Sequence, residues 1–131
     1  MNEISKDDWL RLSKSAWKVR ENASIIGKTK VGAAVLDDQK HIHLGCNIEH
    51  VFRSHDIHAE VNAISNMVAA GHNRFKAILI VAKREFFTPC GACMDWIMQY
   101  GGKEALVGFQ STWEGKIEVY TASELMPFYP R

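Results

Sequence analysis

The apolar positions along this chain follow two periods, one typical of helices and one typical of strands. Near the start, apolar side chains recur every three or four residues as far as about Glu21, which predicts an amphipathic helix. Ser5 and Asp8 have the spacing of a capping box, with Asp in place of the usual Glu, and they predict where this helix begins. Its apolar positions are Trp9, Leu12, Ala16 and Trp17.

Two short strands are predicted after this helix. The apolar run over residues 31–36 indicates the first strand, residues 37–40 a turn, and residues 41 to about 47 the second strand. In the second strand His41 and His43 alternate with apolar residues. This alternation predicts that both histidines lie on the solvated face of the strand.

The rest of the chain alternates between helices and strands. After a polar loop over residues 49–57, the pattern predicts a helix over residues 58–70 that ends at Gly71. Residues 75–83 form a run that is apolar on both faces, as in a central strand. His72, just after the helix, is predicted to lie on the surface. The later predicted elements are a helix over 89–100, strands over 104–110 and 116–120, and a capped turn over 123–126.

This order of elements predicts the fold class. A hairpin followed by strand–helix alternation gives an α/β fold, in which a mixed sheet of about five strands lies between helices in three layers. The helices over residues 58–70 and 89–100 both follow a strand and a loop, so we expect their N-termini to meet at one edge of the sheet. Ligands bind at such an edge in open α/β folds. We expect residues 1–131 to form a single domain.

Composition narrows the class of function. The chain of 131 residues carries 16 basic and 15 acidic side chains, a net charge of +1, and no basic run. The sequence therefore favours a small-molecule substrate over a nucleic acid. It has no apolar run of membrane-spanning length, so no membrane partner is predicted. Three cysteines do not make a disulfide framework and the first residues do not resemble a signal peptide, so we expect a cytoplasmic protein.

Two short motifs hold the residues with the most chemistry. His58 and Glu60 are separated by one residue, and Cys90 and Cys93 by two, with Pro89 directly before the first cysteine. One imidazole and two thiolates suit zinc, and catalytic zinc sites keep three protein ligands with a fourth position open to water. A glutamate that is not a ligand can then move protons. The motifs predict one catalytic zinc ion per chain.

The spacing of the motifs limits how they can be arranged. On a helix Cys90 and Cys93 would share one face, and Pro89 suits the first helical turn. The start of a helix also favours thiolate over thiol. Residues two apart do not face each other on a regular helix. His58 must therefore lie at or just before the helix start if it and Glu60 are to serve one site.

Other interpretations of the cysteines remain open. C-x-x-C alone is also typical of a redox pair or of half a structural zinc site. A structural zinc needs a fourth ligand, and neither Cys46 nor a further histidine lies at finger-like spacing from Cys90 and Cys93. A non-catalytic zinc-binding module would be expected to lack Glu60. The motifs together favour an open, catalytic site.

H-x-E followed by P-C-x-x-C is the signature of the zinc-dependent base deaminases, and on these motifs the chain resembles the cytidine deaminase family. The segment Gly45-Cys46-Asn47-Ile48-Glu49 is similar to the family's G-x-N-x-E segment. Residues 31–36 resemble the family's first strand, and residues 124–128 its C-terminal turn. The resemblance covers nearly the whole chain from about residue 30.

The resemblance implies a cytidine deaminase-like fold and an activity. The activity is hydrolytic deamination at C4 of a cytosine nucleoside, by a zinc-dependent hydrolase acting on a cyclic amidine, in pyrimidine nucleoside salvage. In the family pattern Glu60 moves the protons, the sugar hydroxyls are bound by two side chains, and the base meets the helix backbone. Carried over to this chain, the zinc ligands are His58, Cys90 and Cys93, the sugar is bound by Asn47 and Glu49, and the base meets the backbone of Ala59.

The chain departs from the family pattern in three places. Short members usually carry a third cysteine where His58 stands, and Arg-Gln where Met94-Asp95 stand. These two changes agree, because three thiolates would leave one net negative charge at the zinc, which an arginine can offset, and a neutral imidazole removes that charge. Residues 25–30 replace an aromatic-Ser segment, and residues 50–56 are unusually polar. Both segments line the substrate side of the pocket, so the motifs determine the reaction more than the substrate.

Other substrates share this zinc chemistry. A deaminase of a cytosine-bearing antibiotic of the blasticidin kind is one alternative, although Glu49 suits a plain ribose. Deamination of guanine or of a tRNA adenosine is another, against which the G-x-N-x-E segment argues. The resemblance also implies a homo-oligomer, a tetramer as in short members or a dimer as in members with a histidine ligand. In it, the loop over residues 53–56 or the tail over residues 128–130 would complete a neighbour's pocket.

Overall fold

A computed structural model describes residues 4–129 of the chain. Across these residues, five strands form one sheet with helices packed on both sides, which confirms the predicted α/β class. The helices are α1 (Lys6–Arg20), α2 (Ala59–Ala69), α3 (Gly91–Gly101) and α4 (Ala122–Leu125), and the strands are β1 (Val31–Asp37), β2 (Ile42–Cys46), β3 (Phe75–Ala82), β4 (Leu106–Gln110) and β5 (Ile117–Thr121).

The sheet is mixed, with the strand order β2-β1-β3-β4-β5. The pair β3–β4 is parallel and the other three pairs are antiparallel. In the antiparallel pair β1–β3, Val31 lies opposite Ala82 at one edge of the sheet and Asp37 lies opposite Phe75 at the other edge. The start of β1 and the end of β3 therefore meet at the same edge.

Two apolar cores, one on each face of the sheet, produce the three layers. Alternate residues of β3 point to opposite faces, and both faces of the strand are buried. Leu79 and Val81 pack under α1, whereas Ile78 and Ile80 pack in the core that also contains residues of α2, α3 and α4. The run that is apolar on both faces was thus correctly predicted as a central strand.

The start of α1 confirms the predicted capping box. The Ser5 hydroxyl accepts a hydrogen bond from the Asp8 N–H, and the Asp8 carboxylate accepts one from the Ser5 N–H, both at 3.0 Å. The hydrogen bond from the Ser5 backbone lowers the pKa of Asp8 below its usual value and outweighs the opposing effect of burial. The helix consequently begins at Lys6 with two of its free N–H groups engaged.

Two predicted helix starts shift in the structure, and one predicted loop contains an additional short helix. Helix α3 begins at Gly91 with Cys90 as its N-cap, so the prediction that Pro89 occupies the first turn is wrong. Helix α4 is capped by Thr121, and the predicted turn thus begins earlier than expected. A short 3-10 helix, Arg53–His55, lies within the predicted polar loop.

The predicted surface position of two histidines needs correction. His43 is not on a solvated face, because only 11% of its side chain is exposed and its Nε2 lies 2.8 Å from the Asp37 carboxylate. His72 has 22% of its side chain exposed and packs against His41 and His43. His41, with 61% of its side chain exposed, does lie at the surface. Strand alternation failed here because His43 contacts Asp37 across the β1–β2 hairpin and His72 reaches both from a distant part of the chain.

Helix α2 packs closely on β2 at Gly45. A Cβ atom at this position would overlap the backbone nitrogen of Ala63 and the backbone oxygen of Ala59. Glycine therefore allows the helix backbone to approach the strand, and this approach sets the position of the first turn of α2.

Within the described residues, no helix has both the length and the apolar character needed to cross a membrane.

Candidate active site

A histidine and a glutamate lie at the start of α2 and both line the same pocket. His58 is the N-cap, with an extended backbone at φ −77° and ψ 154°, and the helix begins at Ala59. Glu60 is therefore in the first helical turn while His58 is still outside the helix. This is the arrangement that the two-residue spacing required.

The two motif cysteines lie at the start of α3. Cys90, as the N-cap, accepts a hydrogen bond through Sγ from the Cys93 N–H at 3.5 Å. Cys93 is fully buried and Cys90 is exposed. The pair does not share one face of a regular helix, since only Cys93 is inside the helix, yet the sulfur atoms still converge.

The ligand atoms of His58, Cys90 and Cys93 all lie within 4.8 Å of one another. His58 Nδ1 is 3.2 Å from Cys93 Sγ and 3.5 Å from Cys90 Sγ. Tetrahedral zinc with bonds of about 2.0–2.1 Å to nitrogen and about 2.3 Å to sulfur separates the two ligand atoms by about 3.6 Å. The three side chains are therefore spaced as ligands of one zinc ion.

Glu60 lies next to this cluster without belonging to it. Its side chain is buried, with 7% relative exposure, and contacts the Cys93 side chain. Burial raises the pKa of Glu60 above its usual value, although its own backbone N–H and His58 oppose the shift. A buried carboxyl group with a raised pKa holds a proton more readily than an exposed one, which suits a group that moves protons.

A cation is needed to stabilise a thiolate at Cys93, because the groups around it disfavour negative charge. Burial raises the pKa of the Cys93 thiol, and the neighbouring Glu60 carboxylate and Cys90 sulfur raise it further. Metal binding requires the thiolate form. A dication can supply the compensating charge, because two thiolates balance it and a neutral imidazole adds none. The donor set thus fits zinc in charge as well as in spacing.

A pocket of about 270 Å³ opens beside these residues at the edge where β1 begins and β3 ends. It is formed by the starts of β1 and α2, the end of β3, and the loops that follow β2 and β3. The lining residues used below are Val31, Asn47, Glu49, Arg53, Asp56, His58, Ala59, Glu60, Arg84, Phe87 and Cys90.

Glu49 fastens one wall of the pocket. Its Oε1 accepts hydrogen bonds from the N–H groups of Ile26 and Gly27, each at 2.7 Å. These bonds are the main reason that the pKa of Glu49 lies below its usual value. The other oxygen, Oε2, lies 3.4 Å from an Arg53 nitrogen, and Arg53 also pairs with Asp56 at 2.9 Å.

Asn47 fastens the adjacent part of the same wall. Its Oδ1 accepts a hydrogen bond from the Val31 N–H, and its Nδ2 donates one to the Thr29 carbonyl, both at 2.9 Å. The side chain is buried at 9% relative exposure. Asn47 therefore holds the start of β1 against the end of β2, with one amide N–H left over for a ligand.

Sequence reasoning missed two lining residues on the loop between β3 and α3. Phe87 is buried, packs against Phe109 and lines the pocket. The Arg84 guanidinium lies 5.7 Å from the centre of the Phe87 ring. The only sequence signal was an aromatic pair shortly before Pro89, which has no periodicity from which a pocket position could be predicted.

Comparison with known proteins points to one zinc-binding family. Residues 6–109 match the family model of the cytidine and deoxycytidylate deaminase zinc-binding region. A cytidine deaminase of Sporosarcina psychrophila is 37% identical over 112 residues, which cover 84% of this chain and 82% of that protein. The structure of a cytidine deaminase from Burkholderia pseudomallei superposes with a TM-score of 0.80 at 29% identity, covering 88% of this chain and 93% of the other. That of Mycobacterium tuberculosis gives 0.78 at 25% identity, covering 92% and 94%.

The fold and these likenesses define a zinc-dependent hydrolase that acts on a cytosine ring. The chain belongs to the cytidine and deoxycytidylate deaminase family. Its cofactor is zinc, one ion per chain, as the His/Cys/Cys cluster and the zinc-binding family region together indicate. The family resemblance and the fold class predicted from the sequence are both confirmed.

Proposed function

We propose that this protein hydrolyses the amino group at C4 of cytidine or deoxycytidine, giving the uracil nucleoside and ammonia. The observation that carries the proposal is the buried carboxyl group of Glu60 beside the His58, Cys90 and Cys93 cluster, with Glu60, His58 and Cys90 lining one pocket. Hydrolysis of an amino-substituted ring needs an activated water and a group that moves protons. The names of the relatives also support a cytosine nucleoside.

In this proposal His58, Cys90 and Cys93 hold the zinc ion. When bound, zinc lowers the pKa of a coordinated water to about 7. The spacing of the three ligand atoms and the balance of charge support this assignment. Because these side chains supply three ligands, the fourth zinc position stays available.

Glu60 moves the protons of the reaction. Attack at C4 breaks the conjugation of the ring, so N3 must gain a proton as C4 becomes tetrahedral. Glu60 accepts a proton from the attacking water and delivers it to N3. It then takes the second proton from the hydroxyl group now on C4 and transfers it to the amino group, which leaves as ammonia as the C4 carbonyl forms. Its raised pKa lets one carboxyl group serve as base and then as acid.

The hydrogen-bonding capacity of Glu49 and Asn47 supports a role in sugar binding. Each carboxylate oxygen has two lone pairs, and both on Oε1 of Glu49 are already engaged by Ile26 and Gly27. Oε2, near Arg53, keeps one lone pair that can accept a sugar hydroxyl. Asn47 keeps one N–H that can donate to the sugar.

The base would lie between the start of α2 and the loop after β3. The N–H groups in the first turn of a helix have no intrahelical partner, so the Ala59 N–H can donate to the base. The buried ring of Phe87 offers an apolar surface on the same pocket. A pocket of about 270 Å³ lies near the small end of the usual range of about 300–1,000 Å³, which suits a small molecule.

Charge at the pocket favours a nucleoside over a nucleotide. The positive charge of Arg53 faces two carboxylates, Glu49 at 3.4 Å and Asp56 at 2.9 Å. The trio keeps one net negative charge, which disfavours a phosphate at this wall. Arg84 also lines the pocket, stacked over Phe87, and a nucleotide substrate would have to rely on it.

We also infer that the active protein is a homo-oligomer, a tetramer or a dimer. Val51 and Phe52 lie on the loop that contributes Arg53 to the pocket, and they are 74% and 67% exposed. Phe128 near the C-terminus is 94% exposed. Apolar side chains next to a pocket are suited to contact with another chain.

The proposed reaction is tested by incubating the zinc-loaded protein with a panel of substrates and measuring ammonia release. The panel comprises cytidine, deoxycytidine, cytosine, CMP, dCMP, blasticidin S, guanine and adenosine, with the Glu60→Gln variant as the control. We expect the two nucleosides to have the highest kcat/KM. Preference for blasticidin S, guanine or a nucleotide would reject the proposed substrate, and no ammonia from any compound would reject the activity.

A further inference from the structure

The carboxylate of Asp37 is buried at the edge of the sheet opposite the deaminase pocket. Asp37 ends β1 and pairs with Phe75 at the start of β3, whereas Val31 at the other end of β1 lines the pocket. Helix α2 runs between the two edges and, with 11 residues, is about 16 Å long. A ligand bound at Asp37 would therefore be separate from the proposed catalytic zinc.

Three imidazoles surround one oxygen of this carboxylate. Oδ2 of Asp37 is 2.8 Å from His43 Nε2, 3.3 Å from His72 Nδ1 and 3.6 Å from His41 Nδ1. The ligand atoms of Asp37, His41 and His72 all lie within 4.8 Å of one another. The three histidines come from the β1–β2 turn, from β2, and from the loop after α2.

Two of these distances match metal ligands better than hydrogen bonds. Tetrahedral zinc, with bonds of about 2.0–2.2 Å to nitrogen and oxygen, holds neighbouring ligand atoms about 3.3–3.5 Å apart. The separations from Asp37 to His72 and His41 are close to this range and longer than a typical hydrogen bond of about 2.7–3.2 Å. The contact with His43 is a normal hydrogen bond that orients the carboxylate.

The carboxylate is held in position and in its ionised form. Its Oδ1 accepts the N–H groups of Gln39 at 2.8 Å and His41 at 2.9 Å. Burial opposes ionisation, but the hydrogen bonds from His43 and from these backbone groups outweigh it and keep the pKa of Asp37 below its usual value. Metal binding needs an ionised carboxylate and neutral imidazoles.

We propose that Asp37, His41 and His72 form a second binding site for a divalent transition-metal ion, with His43 supporting the carboxylate. Two imidazole nitrogens and one carboxylate oxygen suit zinc, copper, nickel and iron more than magnesium or calcium. His41 is exposed, so the ion has access to solvent. A bound ion would join the β1–β2 turn to the loop between α2 and β3 and would stabilise the folded chain.

The test uses the protein already loaded with its one catalytic zinc ion. Isothermal titration with zinc, checked by metal analysis after dialysis against micromolar free zinc, should show a second equivalent bound to the wild type. His41→Ala and His72→Ala should each lose the second equivalent and keep the first. His55→Ala is the matched control, because His55 is an exposed histidine outside the cluster, and it should bind as the wild type does.

Thermal unfolding gives a second readout. Added zinc should raise the Tm of the wild type and of His55→Ala, but not that of His41→Ala. The reason is that an ion which binds only the folded state stabilises that state. His41 is largely exposed, so its variant should fold, and circular dichroism verifies this. The proposal is overturned if the wild type binds only one equivalent, or if His41→Ala and His72→Ala bind the second equivalent as tightly as the wild type.

Discussion

The side chain of Asn62 accepts a hydrogen bond from the backbone N–H of Cys46, with a distance of 3.0 Å between Oδ1 and N. Asn62 lies in α2 two residues after Glu60, and Cys46 ends β2 directly before Asn47. This one bond therefore links the helix that carries the proposed proton carrier to the strand that leads into the proposed sugar-binding residues. Together with the close packing of α2 on Gly45, it holds the two halves of the pocket at a fixed distance.

We expect Asn62→Ala to reduce stability and activity together. The change leaves the Cys46 N–H without its acceptor, which costs about 1–3 kcal/mol when the group is buried. Urea denaturation should report this loss, and kcat/KM on cytidine should fall while zinc content is unchanged. Asn62→Asp keeps an acceptor at the same place and serves as the control. Wild-type stability in Asn62→Ala would contradict the role of this bond.

Loss of a zinc ligand should remove both metal and activity. Cys90→Ala deletes one of three proposed ligands, so we expect zinc content well below one per chain, no measurable deamination and some loss of stability. Elemental analysis of the purified protein measures the zinc. Cys46→Ala is the matched control, since Cys46 is outside the cluster and its variant should retain zinc. A Cys90→Ala protein with full zinc content would refute the ligand assignment.

The proposed role of Glu60 separates catalysis from metal binding. Glu60→Gln keeps the size of the side chain and removes its ability to exchange a proton. We expect kcat to fall by at least about 10²-fold, the lower limit for general acid–base catalysis, while zinc stays near one per chain. Steady-state kinetics and elemental analysis test the two parts. Zinc lost together with activity would instead make Glu60 a ligand or a structural support.

Substitution of Glu49 should lower kcat/KM more on nucleosides than on free bases. Glu49→Ala removes the proposed acceptor of a sugar hydroxyl, and we expect kcat/KM on cytidine to fall roughly 10- to 100-fold, as for a lost hydrogen bond to a charged group. Activity on cytosine should change much less. The variant also releases the N–H groups of Ile26 and Gly27, so Glu49→Gln, which keeps an acceptor for them, is needed as the control. Equal losses on nucleoside and base would reject sugar binding.

The proposed homo-oligomer is tested by light scattering during size exclusion. We expect a mass of four or two chains. Phe52→Asp and Phe128→Asp place a charge on exposed apolar positions and should shift the protein towards smaller species with lower activity if these residues lie in the interface. A fully active monomer would refute both the assembly and a pocket shared between chains. A dimer would reject only the tetramer.

Local sequence signals were sufficient for most of the fold. The capping box at Ser5 and Asp8, the strand that is apolar on both faces, and the glycine after α2 can each be recognised from a few consecutive residues. The zinc cluster could also be predicted from the sequence, because zinc accepts few types of ligand and the spacing of His58, Cys90 and Cys93 matches a known motif. The error at Pro89 had a local cause as well, since Cys90 caps the helix through its own sulfur.

Features that depend on distant parts of the chain were not predictable in this way. His43 and His72 are 29 positions apart in sequence, and only the pairing of β1 with both β2 and β3 brings them to Asp37. Phe87 and Arg84 reach the pocket from a loop without periodicity. That Glu49 binds the backbone of residues 26–27 follows from the meeting of two loops, which no local pattern encodes.

The hydrogen bonds that Glu49 accepts from residues 26 and 27 have a consequence for the origin of substrate preference. The wall that would bind the sugar includes two loops, residues 25–30 and 48–57, whereas the proposed zinc ligands and proton carrier lie at the starts of α2 and α3. In this proposal Glu49, which would bind the sugar, and Glu60, which would move the protons, thus lie on separate segments of the chain. We expect that grafting both loops together changes the sugar preference, whereas grafting either loop alone removes the hydrogen bonds of Glu49 to Ile26 and Gly27.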